Sequence, residues 1–110
     1  MDTNEEKGQI KEELFLHLIF MFQTAALQQM GKLVNPVTQK MERNLEQAKY
    51  SIDILEVLQE KTKGNLKEEE NKYLENVLFE LRMNFLDELK KEESKKDEGK
   101  SSDSQGAKKE

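Results

Sequence analysis

The chain has 110 residues, of which 35% are hydrophobic and 37% charged, with a formal net charge of −5; this bounds it to one small domain with polar ends. It holds no cysteine and one histidine, so disulfides, thiolate zinc sites and thiol nucleophiles are excluded, and a metal site would rest on carboxylates. Net charge is −3 over residues 1–13, −3 over 14–89 and +1 from 90 onward, and none of these segments is a basic patch able to follow a phosphate backbone, so no nucleic-acid partner is expected.

Residues 1–11 are polar, lack periodicity and contain Gly8, which reads as a flexible lead-in. The first helix is expected from Glu12 to Met30, with Gly31 as its left-handed stop. It contains the run Leu14-Phe15-Leu16-His17-Leu18-Ile19-Phe20-Met21-Phe22, apolar on nearly every side. Nine helical residues cover about 14 Å against a hydrocarbon core of about 30 Å, so a membrane span is not expected. The preceding acids, Asp2, Glu5, Glu6, Glu12 and Glu13, oppose an export signal, which needs a positive leader. A cytoplasmic location follows as the expectation.

Lys32 to Met41 contains Pro36, the sole proline, and reads as a loop. The second helix opens at Asn44, with Gln47 three residues on as a reciprocal cap, and closes at Gly64. The third begins with Glu68, Glu69 and Glu70, acids suited to the positive end of a helix dipole. The short turn between these two helices predicts an antiparallel hairpin. The third helix is expected to fade past Leu89, because residues 90–110 are almost wholly Lys, Glu, Asp, Ser, Gly and Gln and cannot bury enough apolar surface to offset chain entropy. The expected fold is therefore all-α: a three-helix domain over 12–89, an apolar first helix plus a helical hairpin, with a disordered tail.

At 100° per residue, three apolar stripes run along the first helix: Leu14, Leu18, Met21 and Ala25; Phe15, Ile19, Phe22 and Ala26; and Leu16, Phe20, Leu27 and Met30. The third helix has a core stripe from Leu74 to Leu89 and a second patch of Phe79, Met83 and Leu86. Three helices cover one broad face each, so surplus stripes stay wet at about 1.5–3 kcal/mol per large side chain. Self-association is the expected remedy, as a dimer or higher oligomer. Its interface would draw on Phe15, Ile19, Phe20 and Phe22 of the first helix and on Phe79, Met83 and Leu86 of the third.

His17 shares a helix face with Glu13, yet it lies on the one polar strip of the first helix, where a histidine needs no catalytic explanation. Arg82 lies between the core stripe and the Phe79 patch and is read as pairing with an acid across an interface or as a snorkelling side chain. A ferritin-like metal bundle needs two Glu-x-x-His motifs, and one histidine cannot supply them. No catalytic residue, metal site or cofactor is expected. The expected role is a non-enzymatic interaction module, partnered by itself and by an unidentified protein. The alternatives are a peripheral membrane protein inserting the aromatic face of the first helix and a carrier of apolar ligands.

The stretch from Asn44 to Leu55, the run Glu60-Lys61-Thr62-Lys63-Gly64-Asn65-Leu66, and the segments Thr24–Leu27, Asn35–Thr38 and Leu78–Arg82 resemble the small bacterial proteins grouped as domain-of-unknown-function family eighteen-forty-four. The resemblance covers about Phe15 to Phe85. That family often follows the loop threonine with glycine, where this chain has Gln39, and often caps its third helix with serine or threonine before a proline, where this chain has Lys67 and Glu68. The resemblance implies a short all-helical intracellular protein and assigns no activity, ligand or catalytic residue.

Overall fold

A computed structural model describes residues 3–103, with side chains over residues 6–94. Three helices follow one another: α1 over Thr3–Gln29, α2 over Leu45–Lys61 and α3 over Glu68–Asp103. No strand occurs among the described residues; the one β-bridge, Asn35 to Lys40, lies in the loop after α1.

Local chemistry sets most helix ends. Gly31 takes φ +81°; its N–H donates to the Gln28 carbonyl at 3.0 Å and the Lys32 N–H to the Leu27 carbonyl at 2.8 Å. This crossed pair is a Schellman stop, which needs a residue without a Cβ penalty in the left-handed region. Asn44 caps α2, its Oδ1 accepting from the Gln47 N–H at 3.1 Å. At the start of α3 the Lys67 side chain cannot accept a hydrogen bond, and Glu70 reaches back so that its carboxylate accepts from the Lys67 N–H at 2.8 Å. Half of a capping box thus holds a helix that lacks a serine or threonine cap.

Two boundaries differ from the sequence expectation. α1 begins at Thr3 instead of Glu12, and α3 continues to Asp103 instead of fading past Leu89. The added segments are rich in Lys and Glu, which lose little rotamer freedom in a helix, and Lys91 pairs back to Asp87 and Glu88. Charge composition signals a lack of core-forming residues; it does not signal a lack of helix. Residues 104–110 of the expected tail lie outside the described residues.

The helices run up, down and up. Asn44 N–H donates to the Gln29 carbonyl at 2.7 Å, which turns α2 back along α1. The Lys67–Glu12 and Lys32–Glu88 ion pairs, at opposite ends, set α3 parallel to α1. The core comprises Ile19, Ala26 and Met30 of α1 or its end, Ala48, Ile52 and Leu55 of α2, and Leu74, Val77, Leu78 and Leu81 of α3. Ala26 and Ala48 are fully buried, and small residues at these positions let α1 and α2 approach closely. The described ends extend past this core, and the molecule measures 75 × 32 × 16 Å.

Candidate interaction surface

The row at steps of four along α1 shows how the apolar surface arises. Met30 and Ala26 are fully buried, Phe22 is half-buried, and Leu18, Leu14 and Ile10 are exposed by 37, 63 and 54%. Steps of four rotate by about 40° each on an ideal helix. One unbroken apolar row therefore leaves the core and winds onto the outer surface, where Met21 joins it. On α2 the outward face carries Tyr50 and Val57, both exposed, around a shallow cleft that Asp53 and Ile54 complete. On α3 it carries Phe79, Met83 and Leu86. Each helix thus has an apolar face turned away from the other two.

The loop from Gly31 to Asn44 is held in one shape. Asn35 Oδ1 accepts from the Val37 and Thr38 N–H groups at 2.8 and 3.4 Å, and the Gln39 N–H donates to the Asn35 carbonyl. Gln39 takes φ 60°, the left-handed region that glycine enters without cost. Leu33, Val34, Val37 and Met41 of this loop all stand exposed.

A buried carboxylate anchors that loop to α3. The Glu88 side chain is 8% exposed and meets three cations: Lys32 Nζ at 3.0 Å, Arg43 Nε at 3.0 Å and Lys91 Nζ at 3.1 Å. Arg43 also donates to the Glu88 carbonyl oxygen at 2.8 Å and reaches Glu92. Burial pushes the Glu88 carboxyl up, but the Lys32 and Lys91 ammonium groups outweigh it and hold it below its ordinary value. Hydrogen bonding to Lys32, with the charge of Lys91, holds Asp87 down as well. Lys32 is raised by its hydrogen bonds to Glu88 and Asp87. Removing one partner of a buried ion pair strands the others, so the latch is structural.

The sequence-derived interface residues divide. Ile19 is fully buried, and Phe15 and Phe22 pack against the core of their own chain; the expectation that this stripe is the surplus one is corrected. The row through Ile10, Leu14 and Leu18, with Met21, takes its place, because the hairpin packs against the Ile19–Ala26 side of α1. Phe20, Phe79, Met83 and Leu86 are exposed. Arg82 pairs with Glu56 of its own chain at 2.9 Å, and His17 lies exposed. Sequence reasoning missed Arg43 and Glu88. The available signal was periodic: Leu74, Val77, Leu81, Phe85 and Glu88 continue one buried stripe, and a carboxylate on a core stripe demands a cation.

Other concavities are open and polar. An acid-rich cleft of about 660 Å³ lies between the end of α2 and the start of α3, with Glu56, Glu60, Glu68 and Glu75 on its walls. Among the described residues no group of three or more metal-binding side chains is gathered, and no helix is long and apolar enough to cross a membrane.

The family described as "Domain of unknown function (DUF1844)" matches residues 12–87, and the chain belongs to it. No curated protein and no solved structure matches the chain.

Proposed function

We propose that this member of the DUF1844 family is a non-enzymatic helical interaction module of the cytoplasm, which self-associates and docks a protein partner through its outward apolar faces. The observation that carries this reading is the row Ile10, Leu14 and Leu18 with Met21, continuous with the core yet turned to solvent. A contiguous exposed apolar patch on a small domain marks an interaction site more often than a scattered one does. Charges of both signs accompany this row on α1: Glu6 and Glu13 along one side, Lys7 and Lys11 within it and along the other. Anionic lipid attracts helices with lysine and arginine flanks, so vesicle binding belongs to the test.

The test is capture of proteins from the native cell by tagged wild type and by a Leu14→Glu, Met21→Glu variant, with circular dichroism to verify folding. A stoichiometric partner retained by wild type and lost by the folded variant supports the reading. No partner, or co-sedimentation of wild type with anionic vesicles at physiological salt, overturns it.

A further inference from the structure

The apolar face of α3 is flanked by charges in a definite order. Phe79, Met83 and Leu86, exposed by 63, 53 and 51%, are extended along the same side by Lys72 and Glu75 before them and by Lys90 and Glu93 after them. All four charged residues are exposed. Steps of three and four connect the series, which is the spacing of a helix–helix seam. Its order is self-complementary about the midpoint between Arg82 and Met83. Positions equally far from that midpoint pair Lys72 with Glu93, Glu75 with Lys90, Phe79 with Leu86 and, innermost, Arg82 with Met83, where the aliphatic stem of the arginine can cover the methionine.

We infer that a second copy of this chain docks on this face, α3 against α3 in antiparallel twofold symmetry, with Phe79, Met83 and Leu86 at the centre and the Lys72–Glu93 and Glu75–Lys90 pairs at both ends. An isologous interface requires a surface that complements itself, and the charge order supplies it. Lys72, Lys90 and Glu93 make no ion pair among the described residues, and Glu75 bonds only Asn71.

This inference specifies the self-association proposed above, and its test separates the two. Sedimentation equilibrium of the full chain at tens of micromolar is expected to show a dimer, and Phe79→Glu with Met83→Glu a monomer of unchanged helix content. Glu75→Lys and Lys90→Glu are each expected to weaken the dimer about tenfold, since each turns two exposed pairs repulsive. Mixed one to one, these two variants are expected to regain wild-type affinity, because the altered charge of one copy meets that of the other. A dimer indifferent to all these changes overturns the α3 pairing and leaves self-association standing. A wild type that stays monomeric overturns both, with partner docking through Leu14 and Met21 still decided by the capture experiment.

Discussion

Ile19 and Phe20 are adjacent, both large and both apolar, yet one is fully buried and the other 53% exposed. The same division separates the inner and outer faces of all three helices. The inner faces meet at small residues, Ala26 and Ala48, and close around Leu55, Leu74, Leu78 and Leu81. The outer faces hold residues of the same kind with nothing among the described residues against them. Apolar character on the inner face supplies folding free energy; on the outer face it is what the proposed association would use.

The comparison can be broken from the inner side first. Ile19→Ala is expected to destabilise the fold by about 2–5 kcal/mol, the range for truncating a buried aliphatic side chain, measured by urea denaturation. Phe20→Ala next door is expected to change stability by less than about 0.5 kcal/mol. Comparable losses at the two positions would show that α1 packs the other way round.

The ion-pair latch comes next in size. Glu88→Gln is expected to cost about 1–3 kcal/mol, below the full penalty for a buried pair because Lys32 and Arg43 are partly exposed and can rehydrate. The pH dependence has a definite sign. Glu88 and Asp87 are held below their ordinary values, so their contribution is complete above the ordinary carboxylate range, about 4. It is lost as pH falls through their lower folded values. Lys32 is raised, so its contribution holds up to its ordinary value and is lost as pH climbs through the folded one. Acid titration of stability should therefore be steeper in wild type than in Glu88→Gln, and parallel curves would remove the latch as its cause.

A smaller gain is expected at Gln39. Its left-handed φ costs a non-glycine residue about 1–2 kcal/mol, so Gln39→Gly should raise the unfolding free energy by up to about 1 kcal/mol, measured by urea denaturation, after the entropy of the unfolded glycine is set against it. The smallest effect is expected at Leu14→Ser, which should leave monomer stability within about 0.5 kcal/mol while reducing partner capture. A large loss of stability there would place the outer row in the core after all.

Much of the fold was legible in the residues. Gly31, Asn44, Gly64 and the acids at Glu68 to Glu70 mark helix ends because capping and left-handed backbone are local chemistry, decided within a few residues. The outer boundaries were misread because Lys- and Glu-rich segments were taken as unable to order, although a helix can continue without a core. Of the residues expected in an interface, Phe20, Phe79, Met83 and Leu86 stand exposed. Phe15, Ile19 and Phe22 do not, and a helix apolar on three sides carries no record of which side its neighbours choose.

The sequence by itself determined three helices, their stops and caps, and an excess of apolar surface over what three helices can cover. Only the tertiary structure decided which stripe of α1 is inside. That choice depends on where α2 and α3 pack, and it follows from the close approach at Ala26 and Ala48 and from Lys32 and Arg43 meeting Glu88 across 45 and more residues of chain. The periodic stripe of α3 marks Glu88 as facing inward, but nothing in that segment alone names the cations that meet it.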